Sequence, residues 1–369
     1  MKHSFILHIP LLTGFLIFLI PMITVAQEPK PPLPCRSVEV TFPNPQAGIE
    51  LVGTLTVPDE KGLYPVVILV SDSGQQDREE RLYGHKPFLV LSDFLTRQGI
   101  AVLRYDDRGA GKSGGLFKTA TTFDFATDAE AALEFLKKRQ EIDSTRIGII
   151  GHGEGGLIAS IVASNRSDVA FIVLMACPGL TGEQSFLAQS ALTSGTGGND
   201  DAGIHSAEKL NRDICQVLKK NKNNETAAAK IRKLIASADK KFATDKSYHK
   251  ISEADLTKKI ETFTSPWFRC FITLNPELYI SKVKCPILAI NGSLDSQVAP
   301  KENLESIEKA LIFGGNPNYI IEELPGLNHQ FQTASTGSPE EYAKIEETIA
   351  PVALELIGMW IHKSLLGLK

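Results

Sequence analysis

Apolar positions follow three different rhythms along the chain, and each rhythm predicts a different kind of element. Ser37 to Phe42 and Leu51 to Val57 alternate apolar with polar residues, as an antiparallel pair with one face on a core would. From Val66 to Val70 the run is continuously apolar, which suits a strand buried on both faces. Short apolar strands then alternate with helical spacing. Pro87 opens a helix with Phe88, Leu91 and Leu95 on one side, and Gly99 ends it before a strand over Ile100–Leu103. A helix over Phe123–Arg139 leads to a strand over Ile147–Ile150, a helix over Leu157–Ala163 and a strand over Phe171–Ala176. After Pro178-Gly179 the strand signal stops, and charged helical sequence takes over. It returns at Ile287–Ile290 and Tyr319–Leu324, with a helix through Leu304, Ile307 and Leu311 between them. A last helix runs through Val352 and Leu356 to Ile361. Strands alternating with helices predict an α/β fold with a mostly parallel sheet, here interrupted by an inserted helical cap.

Composition narrows the class without naming the chemistry. The 369 residues are 43% hydrophobic and 22% charged, which excludes a disordered, collagen-like or polytopic membrane protein. The formal charge of −4 lacks the basic excess of a nucleic-acid binder. From His205 to Thr264, 14 Lys/Arg face 8 Asp/Glu, so this segment carries +6 and the remainder −10. Such a segment reads first as solvated helical faces and second as a means of steering acidic ligands. Lys2 and His3 precede an apolar stretch from Phe5 to Val25, and Thr24-Val25-Ala26 forms a small-residue cleavage site before Gln27. Pro10, Pro21 and His8 favour an export signal over an anchor, so no stable membrane span is expected after cleavage. The expected layout is a signal peptide over 1–26, a Pro-rich linker over 27–35, core over 36–179, cap over 180–281 and core again over 282–369. The five cysteines form no C-x-x-C pair, and neither a metal site nor a cofactor is expected.

Candidate chemistry gathers where strands end, which is where open α/β sheets bind ligands. Gly151-His152-Gly153-Glu154-Gly155-Gly156 follows one strand and opens a helix, a spacing that suits a sharp strand-to-helix elbow with Gly153 at its apex. Asn291-Gly292-Ser293-Leu294-Asp295 follows a later strand, and Pro325-Gly326-Leu327-Asn328-His329 follows the last. The order apex, acid, histidine is that of α/β-hydrolases, whose apex is normally the serine of G-x-S-x-G.

From about Arg36 onward the chain resembles exported bacterial α/β-hydrolases of the serine aminopeptidase-like and acyl esterase type. The resemblance rests on Gly84-His85-Lys86-Pro87-Phe88, Arg104-Tyr105-Asp106-Asp107-Arg108-Gly109, Ser265-Pro266-Trp267-Phe268-Arg269 and Gly326-Leu327-Asn328-His329. It implies Asp295 as triad acid, His329 as general base, and oxyanion donors from the Ser73 and Glu154 backbone N–H groups. It also implies a carboxylic ester, thioester or small amide as substrate, no nucleic-acid partner, and a periplasmic or secreted location. Glycine at 153 departs from that pattern, since it offers no nucleophile. Asp72 stands where glycine is expected, Gln75 where proline is and Cys177 where glycine is; Asp72 and Gln75 favour natural divergence over one deliberate change. Asp72 brings negative charge to the oxyanion loop, Cys177 is an alternative nucleophile, and Trp267 and Phe268 are candidate pocket walls. The expected function is a hydrolase scaffold without its serine, with a ligand-binding protein as the alternative.

Three further motifs carry less. Gly151-x-Gly153-x-x-Gly156 matches a dinucleotide fingerprint, but no acid ends the next strand to hold a ribose. Gly109-Ala110-Gly111-Lys112-Ser113 lacks the first glycine of a P-loop, with Asp106 in its place. His152-Gly153-Glu154 has no P-C-x-x-C partner for a zinc deaminase.

Overall fold

The computed structural model describes residues 29, 35–58, 62–196, 201–242 and 252–366. The export signal expected over 1–26 and most of the Pro-rich linker lie outside these residues.

Eight strands form one sheet: β1 (Cys35–Asn44), β2 (Ile49–Pro58), β3 (Tyr64–Val70), β4 (Ala101–Tyr105), β5 (Ile142–His152), β6 (Phe171–Met175), β7 (Ile287–Gly292) and β8 (Tyr319–Leu324). Their order is β1-β2-β4-β3-β5-β6-β7-β8. β1 and β2 pair antiparallel, as their alternation requires, and β2 joins β4 antiparallel. From β4 to β8 every pairing is parallel. The continuous apolar runs follow from that: Val66, Ile68 and Val70 face one core layer, while Val67 and Leu69 face the other.

Helices α1 (Pro87–Arg97), α2 (Thr122–Leu136) and α3 (Glu154–Asn165) connect the parallel strands. Thr121 caps α2 in a reciprocal box with Asp124, which sets the start of that helix. Helix α3 begins three residues earlier than its apolar pattern alone predicts, because Glu154, Gly155 and Gly156 are all buried in the turn that launches it. β5 likewise starts before Ile147, since polar Asp143–Arg146 hide a strand that pairs with Tyr64 through Ile142.

Between β6 and β7 lie α4 (Gly182–Thr196), α5 (Asp201–Lys220), α6 (Asn224–Phe242), α7 (Glu253–Thr264), α8 (Pro266–Phe271) and α9 (Glu277–Ile280). These helices have a core of their own, built on Ile214, Leu218, Ile231, Leu256, Ile260 and Phe268. The remaining helices are α10 (Pro300–Gly314), α11 (Pro339–Tyr342) and α12 (Pro351–Leu365). Helix α12 lays Ala353, Leu354, Ile357 and Ile361 against the sheet face opposite α2 and α3.

Candidate active site

The elbow between β5 and α3 is built from close approach. A Cβ at Gly151 would lie 2.1 Å from the Gly155 carbonyl carbon, and one at Gly155 would lie 2.1 Å from the Val70 carbonyl oxygen. Only glycine lets the strand turn into the helix at that distance. Gly153 at the apex has φ +51° and ψ −120°, a backbone state that strains any residue with a side chain. Its N–H donates to the Met175 carbonyl at 2.8 Å, which ties the apex to β6.

Three loops bring carboxylates and imidazoles to that apex. Asp295 follows β7, and its Oδ1 accepts from the backbone N–H groups of Gln297 at 2.7 Å and Val298 at 2.9 Å. Those bonds aim Oδ2 at His329, whose Nδ1 donates to it at 2.8 Å. Both side chains are buried. The acid–histidine pair expected from the sequence is therefore assembled.

Asp72, in the loop after β3, occupies the place of the nucleophile. A Cβ built on Gly153 would sit 1.8 Å from Asp72 Oδ1 and 2.2 Å from its Cγ. Oδ1 accepts the Glu154 backbone N–H at 2.9 Å, and Oδ2 accepts from His329 Nε2 at 3.2 Å. One carboxylate thus takes the elbow N–H expected to hold an oxyanion and also the imidazole expected to serve as base.

The electrostatics lock this arrangement. Burial opposes charge on His329, but Asp295 and Asp72 outweigh it and push its pKa up to about 10. Burial likewise opposes charge on Asp72, yet the His329 hydrogen bond and charge hold its carboxyl well below the usual range. At neutral pH the site therefore holds an imidazolium between two carboxylates. Such a histidine has no lone pair with which to take a proton.

Glu80 and His152 form a second layer that the sequence reading missed. Asp72 N–H donates to Glu80 Oε1 at 2.7 Å, and that oxygen also accepts from His152 Nδ1 at 3.0 Å. His152 Nε2 donates to the His329 carbonyl at 3.0 Å. Glu80 and His152 thereby connect the backbones of Asp72 and His329. Glu80 has φ +53°, which is strain a non-glycine residue accepts only where its surroundings hold it. A single histidine and a single glutamate, 72 residues apart, leave no spacing signal that would find them.

Glu154 separates into two roles. Its N–H holds Asp72, and its side chain holds the cap. Trp267 Nε1 donates to Glu154 Oε2 at 2.9 Å and to Oε1 at 3.0 Å, while Thr122 Oγ1 donates to Oε1 at 2.6 Å. Burial raises the Glu154 carboxyl to about 7 against the bonds from Thr122 and Trp267. Ionisation above that pH strengthens the indole bond, so Trp267 emission is expected to titrate with a midpoint of about 7, and Glu154→Gln should remove the transition. Emission that stays flat across this range would disprove the latch.

Above the elbow lies a cavity of about 240 Å³, with Asp72, Ser73, Gly153, Glu154 and His329 on its floor. Phe186, Phe263, Trp267, Phe268 and Phe271 from the cap form its walls. Trp267 stacks on Phe271 with centroids 5.6 Å apart, and Phe186 meets Phe268 edge-on at 5.1 Å. Trp267 and Phe268 thus serve as both cap packing and cavity wall.

Cys177 requires a correction. It is buried beside Gly156, where an added Cβ would meet its Sγ at 2.8 Å, and it does not line the cavity. Burial, reinforced by the charge of Asp72, pushes its thiol pKa up, away from the thiolate a nucleophile needs. Gln75 braces the loop instead of lining the site, donating from its side chain to the Gly109 carbonyl. The P-loop-like segment has a structural role as well: Lys112 N–H and the Arg78 guanidinium both bond Asp106.

Comparison with known proteins agrees with this fold. The family described as serine aminopeptidase, S33 matches residues 87–194. The esterase EstD of Thermotoga maritima is 29% identical over 314 residues, covering 85% of this chain and 66% of its own length, so the chain spans just under two thirds of that relative. Among solved structures, a hypothetical protein of Pseudomonas aeruginosa superposes with TM-score 0.52 at 18% identity, over 90% of this chain and 95% of its own. An esterase of Pyrococcus furiosus superposes with TM-score 0.51 at 18% identity, over 89% of this chain and 90% of its own. The strand order and these matches together show that the chain has the α/β-hydrolase fold and is similar to serine aminopeptidases and esterases.

Proposed function

We propose that this chain is an exported α/β-hydrolase in which serine-type acyl transfer is closed, and whose cavity takes a small, largely apolar ligand of ester, thioester or amide type. The observation that carries the reading is the Asp72 carboxylate, bonded at once to the Glu154 N–H and to His329. Acyl transfer needs a nucleophile at the elbow, a base beside it and a free N–H for the oxyanion. In this site Gly153 offers no nucleophile, His329 is already protonated, and the Glu154 N–H, one of the two expected oxyanion donors, is engaged. Similarity to esterases supports the ligand class, and the aromatic walls supply apolar surface for it. The apolar stretch from Phe5 to Val25 supports export to the periplasm or beyond.

The test is a panel of chromogenic p-nitrophenyl esters of increasing acyl length. The parent chain should release nitrophenol at the buffer rate for every ester. The longer esters should nevertheless quench Trp267 saturably and be recovered intact. Saturable release by the parent chain would overturn the reading.

A further inference from the structure

We propose that the cavity above the elbow continues between α4 and α7 into an anion-binding subsite formed by Lys258 and Lys259, so that the ligand is an amphipathic organic anion, apolar at its inner end and carrying a carboxylate or similar group at its outer end. The inference rests on the reading that the inner cavity takes an apolar ester-type ligand, and it names the second group by which that ligand is recognised.

A second cavity, of about 400 Å³, adjoins the first. Phe186, Gln189, Thr262 and Phe263 line both, so the two meet across these four side chains. Phe186 and Phe263 stand edge-on there, with centroids 5.9 Å apart. Helical periodicity sets the direction of the second cavity. Lys258 and Lys259 lie four residues before Thr262 and Phe263 on α7, and Ser190 lies four after Phe186 on α4. Residues four apart share a helix face. The walls therefore carry on along both helices for one turn beyond the aromatic cavity, about 5.4 Å. Asn211 Nδ2 donates to Ser190 Oγ at 2.7 Å, which ties α5 to the α4 wall.

Charge distinguishes the two ends. Among the described residues the second cavity is lined by two lysines and by no acid. Other cap cations are matched: Lys209 pairs with Asp213, and Lys219 with Glu183. On α7 itself, Glu253 pairs with Arg232 at 2.9 Å, and Asp255 accepts from Ser252 Oγ at the start of the helix. Lys258 and Lys259 are exposed, and among the described residues neither ammonium has an acid or hydrogen-bond partner. A lysine lays its stem along an apolar wall and keeps its head in water, which places both charges at the mouth. Side by side they attract one anion more strongly than either would alone. An ammonium is a point charge with rotatable donors, so it accepts carboxylate, sulfate or phosphate ester without a planar fit. The inner end repels the same group, because Asp72 is ionised on its floor. One end of the ligand must therefore be neutral and the other anionic, and the fold fixes which way round it lies.

The test compares half-esters with full esters. Monomethyl and dimethyl esters of adipic, suberic and sebacic acid are titrated into the parent chain at neutral pH and low salt, and dissociation constants are read by calorimetry. Monomethyl sebacate should bind about five-fold tighter than dimethyl sebacate, although it is the less apolar of the two. The preference should shrink toward adipate, which is too short to reach both cavities, and vanish in 1 M salt, where the Debye length is about 3 Å. Lys258→Glu/Lys259→Glu, at two exposed positions, should invert it. Equal affinities within each pair would sink the anion subsite and leave the apolar cavity standing, since the dimethyl esters report on that cavity alone. A preference independent of chain length would mean general attraction to the basic cap and would count equally against the subsite, as would a preference that survives the charge reversal. Failure of every ester to bind would remove both the subsite and the cavity reading on which it rests.

Discussion

A chain carrying both Asp72→Gly and Gly153→Ser gains saturable hydrolysis of p-nitrophenyl esters, while Gly153→Ser alone gains none. The asymmetry follows from space and charge. A serine Cβ at 153 would stand 1.8 Å from Asp72 Oδ1, so the single variant must expel a carboxylate that is bonded on both sides. Removing Asp72 clears that space and frees the Glu154 N–H for an oxyanion. It also deprives His329 of one of its two carboxylate partners, so its pKa falls from about 10 toward the range of a general base. Asp295 and its bonds from Gln297 and Val298 are untouched, so the imidazole keeps its orientation. A triad nucleophile contributes about a million-fold to kcat, and the double variant should recover at least about a thousand-fold over the parent. Its rate should rise with pH through the lowered pKa of His329. Equal activity in the single and double variants would show that Asp72 does not block the elbow. A folded double variant with no activity would show that more than Asp72 and Gly153 closes it.

The second large effect is on stability. Asp128→Ala should lower the unfolding free energy by roughly 3–5 kcal/mol, read from denaturant melts. Arg108 is buried, and its Nε and Nη2 donate to the two Asp128 oxygens at 2.7 and 2.9 Å. Asn44 Nδ2 donates to the same carboxylate at 2.7 Å. Taking Asp128 away strips the buried guanidinium of its two-oxygen acceptor, leaving it Thr127 Oγ1, the Asp124 carbonyl and a longer contact to Asp124 Oδ1, and leaves the Asn44 amide only Thr127 Oγ1. Burial raises the Asp128 carboxyl even with Arg108 beside it, a sign that desolvation consumes most of what the pair gains. The double variant Arg108→Met/Asp128→Leu should therefore lose much less than Asp128→Ala, and equal losses would refute that account. The pair also matters for the site. Arg108 follows Asp107, whose oxygens accept from Ser71 Oγ and Gln76 N–H on either side of Asp72.

The sheet was legible because its signals are local. Alternation in β1 and β2, the continuous runs of β3 and β6, and Pro87 and Gly99 around α1 each reflect burial or backbone restriction within a few residues. Positions 153, 295 and 329 were legible because each follows a strand, and strand ends of a parallel sheet converge at one edge. Cys177 also follows a strand, and there the rule misled: beyond a strand's end, the path of the loop decides whether a side chain faces the cavity or the core. Glu80 left no mark because its role depends on reaching His152 across the fold.

Sequence alone therefore determined the α/β order, the glycine turn at the elbow, the Asp295–His329 pair, and the lack of a side chain on residue 153. It also showed a misplaced carboxylate at 72. Tertiary structure decided what that carboxylate does. Asp72 and Glu154 are 82 residues apart, and only the packing of β3 beside β5 brings the loop after one strand over the helix that follows the other. Periodicity reports which face of its own element a residue occupies. Whether two oxygens on separate loops meet one N–H and one imidazole depends on tenths of an ångström in how those elements cross.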